Sequence, residues 1–516
     1  MTPIRLISGF LTVGVWTFVS RIFGFARDVV IAAYLGAGPV AEAFLVAFAL
    51  PNMFRRFFAE GAMNMAFVPM FAKKLERGED AMGFARNAAS ALALFLIVFS
   101  ALAHLAMPWL VLAMAAGFRG DERFDLAVVY ARIAFPYILL ISLTALLTGI
   151  LNSAGRFAAG AAVPTLLNMV FIAAAVLADR SGWPIGDALV WAMPVAGVLQ
   201  LGVMWWAAAR AGFVLRPRWP RPSPELRRLA VIMGPAMLAG GVVQVNLLVG
   251  RQVSSFFEGA VAWLAYADRL YQLPLGVVGI AIGVVLLPDL SRRLGNGDTE
   301  GGRWSFNRAM EFSLALTIPA AVALMVIAVP IVSVLFERGA FGPADTAATA
   351  LAVAVYGLGL PAFVLQKVLQ PLFFARHDTR RPFNYALVAM VVNAALAIGL
   401  APLIGYIAAA LATTVAGWVM AWQLWRGSRP LGAAVQSDAR LRARLWRIVV
   451  ASGVMGAALW GAAAMLAPYL AAPGLRFAAL LALVAVGCVV YFAAGAAIGA
   501  FRLADFRRAV RRSPAP

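Results

Sequence analysis

The sequence predicts an all-α, polytopic membrane protein with about 14 transmembrane helices, built as two six-helix lobes plus two extra C-terminal helices. Three observations predict it. Apolar runs of about 20 residues recur along the whole chain, basic residues collect in alternate connections, and the two halves resemble each other at a nearly fixed shift. The 516 residues are 63% hydrophobic and 13% charged, with a mean hydropathy of +0.87, far from the composition of a soluble globular domain. The alternation of an outer-membrane barrel is absent, and lipid demands internally paired backbone, so the spans read as helices.

In chain order the first six spans lie near 8–35, 41–70, 85–115, 126–152, 158–178 and 186–209. The next six lie near 229–256, 261–290, 308–335, 346–375, 383–402 and 405–425, and the last two near 444–469 and 474–501. The first carries Arg21, Arg27 and Asp28 and is too long for the apolar core of a signal peptide, so it reads as a retained span. Pro51, Pro69, Pro136, Pro194, Pro274, Pro288, Pro361 and Pro371 punctuate the spans, and Gly24 and Gly234-Pro235 add breaks. Discontinuous helices of this kind surround transport sites, although a kink can also serve packing alone. Connections such as Gly117–Asp125 and Arg338–Asp345 are short and leave no soluble domain to house an active site.

A net charge of +20 could indicate nucleic acid, but its placement excludes that reading. Most of the 43 Lys and Arg fall in Lys73–Arg86, Arg210–Arg228, Arg292–Arg308, Arg376–Arg381, Arg426–Arg447 and Arg502–Arg512. The intervening connections hold only Arg119, Arg123, Arg180, Arg338 and Arg476. Such asymmetry orients a membrane protein with both termini in the cytoplasm.

At a shift of about 224 positions, Arg27 matches Arg251, Pro51 matches Pro274, Pro108 matches Pro330, Pro136 matches Pro361, Arg156 matches Arg381 and Asn168 matches Asn393. An even number of spans per copy makes the repeats parallel, with a pseudo-two-fold axis along the membrane normal and a substrate site expected between the lobes. The expected division is residues 1–215 for the N-terminal lobe, 216–430 for the C-terminal lobe, and 431–516 for the extra helix pair and basic tail.

Arg27, Arg55, Arg251 and Arg269 stand at membrane depth in the first, second, seventh and eighth spans. Each costs roughly 2.5–3.5 kcal/mol on insertion scales, so such residues mark a pathway or a binding site. Guanidinium keeps its charge and grips phosphate through paired hydrogen bonds, which suits a diphosphate cargo. Arg21 and Asp28 stand seven apart on one helix face and can partly neutralise each other. Arg56 and Glu60 have the spacing of a helical ion pair, which leaves Arg55 the freer of the two. Asp268 and Arg269 are adjacent and face different directions. The competing reading is that these arginines form interhelical salt bridges with Asp28, Glu42, Glu60, Asp268 or Asp289 and tie the lobes together. Lys367 reads as a snorkelling or paired residue, and His104, His377 and Cys488 read as packing or loop residues. No nucleotide-binding glycine loop or hydrolase motif occurs, so transport must draw on a gradient, a membrane potential or a downstream sink.

At Arg21–Asp28, Pro51–Pro69 and Tyr266–Pro274 the chain resembles the MurJ/MviN family, the lipid II flippases of the multidrug/oligosaccharidyl-lipid/polysaccharide exporter superfamily. Phe135–Ser142 and Pro164–Asn168 match the pattern too, and the resemblance covers essentially the whole chain. It implies transport, not catalysis: the undecaprenyl-diphosphate-linked peptidoglycan precursor moves from the inner to the outer leaflet of the bacterial cytoplasmic (inner) membrane by alternating access. It implies substrate-binding roles for Arg21, Arg27, Asp28, Arg55, Glu60 and Arg269; beside them, Glu42, Arg56, Arg251 and Asp268 read from the sequence as supporting residues. It also implies no bound cofactor, drive by the membrane potential with sodium in some members, and a greasy groove for the polyprenyl tail at the last two spans. Lipid II, membrane lipids and other cell-wall synthesis proteins are the implied partners. Two rival readings are a flippase for another polyprenyl-diphosphate oligosaccharide and a membrane-embedded glycosyltransferase acting on the same lipid. The latter needs a catalytic carboxylate on a sizeable outer loop, which these short connections do not offer.

Overall fold

The computed structural model describes residues 3–56, 66–281, 289, 292–293, 296–376, 378–432 and 435–500. Among them are eighteen α-helices and no strand, as an all-α chain requires. They are α1 (Pro3–Leu35), α2 (Pro39–Arg55), α3 (Val68–Glu76), α4 (Ala81–Leu105), α5 (Met107–Met114), α6 (Glu122–Ala134), α7 (Tyr137–Ser153), α8 (Ala158–Ser181) and α9 (Ile185–Arg210). Then follow α10 (Pro224–Ser254), α11 (Ala260–Ala281), α12 (Thr299–Val326), α13 (Ala328–Phe336), α14 (Pro343–Phe374), α15 (Arg380–Ile404), α16 (Ile407–Ser428), α17 (Ala439–Ala471) and α18 (Arg476–Ala497). Ten helical segments of the described residues are long and apolar enough to cross a membrane. The arginine-bearing α1 and α10 run to 33 and 31 residues. The polytopic reading therefore holds.

Local chemistry explains where the helices start and bend. Asp80, Asp121, Ser223, Asp298 and Asp438 cap helix starts by accepting backbone N–H groups two or three residues on. Pro39, Pro224 and Pro343 open helices where no N–H is needed. Of the expected breaks, Pro51, Pro194, Pro274, Pro361 and Pro371 lie within helices, Pro69 opens α3, and Pro136 divides α6 from α7. Pro288 lies outside the described residues.

The chain packs as two compact units, Met1–Ala262 with Arg338–Phe341, and Trp263–Glu337 with Gly342–Pro516. In the first, α4 packs on α7, α7 on α9, α8 on α9, and α1 on α8. In the second, α12 packs on α14, α14 on α16, and α15 on α16, with α17 and α18 paired and set against α12. The internal repeat thus has a packing counterpart. It is also visible at single residues: Asp80 accepts from Gly83 N–H at 2.7 Å and Asp298 from Gly301 N–H at 2.8 Å. Each cap follows a left-handed glycine, Gly78 (φ +67°) and Gly297 (φ +75°).

Phe44, Phe67, Phe71, Phe118, Phe135 and Tyr137 are fully buried in the core of the first unit. In that unit Ala340 N–H donates to Ala33 C=O at 2.8 Å, and a side chain at Gly339 would strike that same carbonyl at 2.2 Å. In the second unit Glu311 of α12 accepts from Arg308, Arg440 and Arg444, and Arg308 also pairs with Asp438. This ionic staple fixes the start of α17 to α12, and Tyr491 of α18 adds a hydrogen bond to Ala315 C=O at 2.6 Å.

Candidate anion site

Arg27, on α1, is the most enclosed of the predicted site arginines. It is 7% exposed, and its guanidinium folds back on Asp28, with Nε 3.0 Å and Nη2 2.6 Å from Asp28 Oδ1. Nη1 donates to Asn168 Oδ1 of α8 at 3.0 Å. The Phe48 and Phe171 rings flank the cation at 5.3 and 5.8 Å, and they meet each other edge to face. An aromatic slot lowers the burial cost of a weakly hydrated guanidinium, and the carboxylate offsets its charge. Three of its five N–H groups are engaged by Asp28 and Asn168.

The neighbouring wall comes from α2. Phe48, Asn52 and Arg55 are spaced as one helix stripe, and Phe48 already faces Arg27, so Asn52 and Arg55 lie along the same side. Arg55 is half-buried and donates from Nε to Asn52 Oδ1 at 3.3 Å, while Asn52 Nδ2 donates to Phe48 C=O at 2.7 Å. Arg56 ends the helix and is exposed. Its expected partner Glu60 lies outside the described residues.

Arg21 is exposed and, among the described residues, has no ion-pair partner, so the expected Arg21–Asp28 neutralisation gives way to the Arg27–Asp28 pair. The physical reason is proximity: a neighbouring guanidinium can fold directly onto the carboxylate, whereas Arg21 would have to cross two turns. Arg251, in the last turn of α10, is half-buried. In the second unit, Asp268 accepts a hydrogen bond from Gln272, and Arg269 beside it is half-buried. Tyr271 of the same helix stacks on Tyr356 of α14 at 5.2 Å.

Glu42 has a different setting. It is fully buried, receives Arg123 Nη1 at 2.9 Å, and accepts Val261 N–H at 3.0 Å. Arg123 also binds Asp121 at 2.6 Å and packs its guanidinium on Phe118 at 4.5 Å. Burial would raise the Asp121 carboxyl, but the Arg123 backbone N–H and guanidinium prevail and hold it below its usual range. Arg123 and Asn168 contact predicted site residues and are absent from the sequence-based site. Asn168 carried a signal, its place in the Pro164–Asn168 motif and in the repeat, whereas Arg123 was sorted only as a loop charge.

Among the described residues no group of three or more His, Cys, Asp or Glu could hold a metal ion. A buried guanidinium in an aromatic slot, on a many-helix membrane scaffold, is the mark of a membrane transport protein. The comparisons with known proteins narrow that class. The family profile described as lipid II flippase MurJ matches residues 31–481, and the chain belongs to that family. A probable lipid II flippase MurJ of Rhizobium meliloti (strain 1021) is 45% identical over 98% of this chain and 96% of its own length. The lipid II flippase MurJ of Burkholderia cenocepacia is 37% identical over 85% of this chain and 86% of its own. A solved lipid II flippase MurJ in an inward closed conformation superposes with a TM-score of 0.79 at 25% identity, covering 97% of this chain and all of the other. An inward-facing multidrug transporter of the MATE family shares the fold, with a TM-score of 0.65 at 15% identity over 81% of this chain and 96% of its own.

Proposed function

We propose that this chain carries lipid II from the cytoplasmic to the outer leaflet of the bacterial inner membrane, with both chain termini in the cytoplasm. Membership of the lipid II flippase MurJ family over residues 31–481 is the observation that carries this reading. Oil forbids passage to a headgroup of sugars, peptide and two phosphates unless a polar route is provided. Arg21, Arg27, Arg55 and Arg269, with the acidic Asp28 and Glu60, are the substrate-binding residues of this reading, and Arg56, Arg251, Asp268 and Glu42 are its supporting residues. The diphosphate then competes with Asp28 for Arg27: the bound anion takes over hydrogen bonds that the carboxylate makes without it. A directional cycle needs an inward-open state that binds tightly and an outward-open state that binds less well, biased by the membrane potential. The tail stays in lipid against α17 and α18, and other cell-wall synthesis proteins draw the product away.

Purified protein in vesicles without ATP tests this. Lipid II loaded on the inner leaflet should become accessible to an externally added enzyme at a rate that rises with protein and changes with an imposed potential. A transfer rate equal to that of empty vesicles would remove the proposal.

A further inference from the structure

We propose that Asn168 is a positioning residue that holds the Arg27 guanidinium in place while its anionic partner changes. This rests on the reading of Arg27 as a diphosphate ligand. Asn168 is 6% exposed on α8, and its amide orientation is dictated from both ends. Its Nδ2 donates to Ser20 C=O of α1 at 3.2 Å and faces Pro164 C=O of its own helix at 3.4 Å, so Oδ1 must be the atom that meets Arg27 Nη1.

The division of labour follows from charge. Asp28 and an incoming diphosphate are both anions and compete for the Nε and Nη2 edge of Arg27. Asn168 is neutral, takes only Nη1, and accepts without cancelling the positive charge. When the carboxylate is displaced, the amide and the Phe48 and Phe171 rings still fix the plane of the guanidinium. The arginine can then exchange one anion for another without leaving its rotamer, which spares the entropy of re-ordering a long side chain. An Asp at this position would keep the acceptor, lose the donor to Ser20 C=O, and add a second carboxylate to the competition. A leucine would fill the space and leave Nη1 without its acceptor.

A double-mutant cycle with undecaprenyl diphosphate as the probe, titrated onto the purified full chain, tests this. Asn168→Leu should weaken binding roughly ten-fold in the parent background and leave it unchanged in an Arg27→Ala background, because the residue acts only through the guanidinium. Asn168→Asp keeps an acceptor for Nη1 but loses the Nδ2 donor to Ser20 C=O, and should bind the diphosphate more weakly in the parent background only. Equal losses from Asn168→Leu in both backgrounds, or parental affinity in Asn168→Asp, would overturn the positioning role and leave the reading of Arg27 intact. Parental affinity in Arg27→Ala alone would remove that reading, and this inference with it.

Discussion

Arg27 departs from the simplest sequence expectation. Helix spacing points to Arg21 as the partner of Asp28, yet it is Arg27 that pairs with this carboxylate, the residue that follows it. Burial makes that arrangement necessary, because an ionised group out of water must find a counter-charge or give up its charge, and guanidinium does not give up its charge. Arg27→Ala should therefore do two things. It should abolish transport, and it should lower thermal stability, since losing one member of a buried pair costs roughly 3–5 kcal/mol in soluble proteins. Adding Asp28→Ala should restore part of the stability and none of the transport. Recovery of transport by the double variant, assayed in the vesicle system, would show that the pair is only a structural tie. Position in the sequence revealed Arg27, Asp28 and Arg55, because charge in an apolar run stands out against its surroundings. It did not reveal the role of Asn168 or Arg123: an amide in a helix or an arginine near a loop is ordinary until its neighbour is known.

At the scale of elements, the legible features were those with a local cause. The start of α3 at Pro69, one of the expected breaks, follows from proline alone, whereas Pro51 and Pro274 lie inside helices. The subdivision of the fourth span into α6 and α7 at Pro136 is equally local. Long-range ties were not legible. Glu311 gathers Arg440 and Arg444 from a distant stretch of the chain, which no spacing rule could show. Glu311→Gln should loosen α17, raising hydrogen exchange at its first turns while α4 and α8 keep their protection; an unchanged exchange pattern would refute the staple. Gly339→Val should disturb the contact with Ala33, since its backbone is left-handed and its side chain would meet a carbonyl. A melting temperature equal to that of the parent would contradict this. The Asp121–Arg123 contact has a defined acid limit. Its depressed carboxyl contributes stability above the ordinary carboxylate pKa of about 3.9, and that contribution is lost as pH falls through the lower folded-state value. Asp121→Asn should therefore flatten the acid limb of the melting-temperature profile.

For the molecule as a whole, composition alone specified an all-helical membrane protein, and the repeat specified that its packing would recur. The recurrence of α4, α7, α8 and α9 contacts in α12, α14, α15 and α16 bears out that kind of regularity at the level of helix pairs. The substrate could not come from composition, because positive charge suits many anions; residue-level likeness to one family narrowed it. The central claim is transfer of lipid II between leaflets, and its most direct measurement is leaflet-resolved lipid II in cells depleted of this protein. The account predicts that lipid II accumulates in the inner leaflet and falls in the outer one. Re-expression of the parent should reverse both changes, and Arg27→Ala or Arg269→Ala at matched levels should reverse neither. An outer-leaflet pool that stays constant through depletion would contradict it.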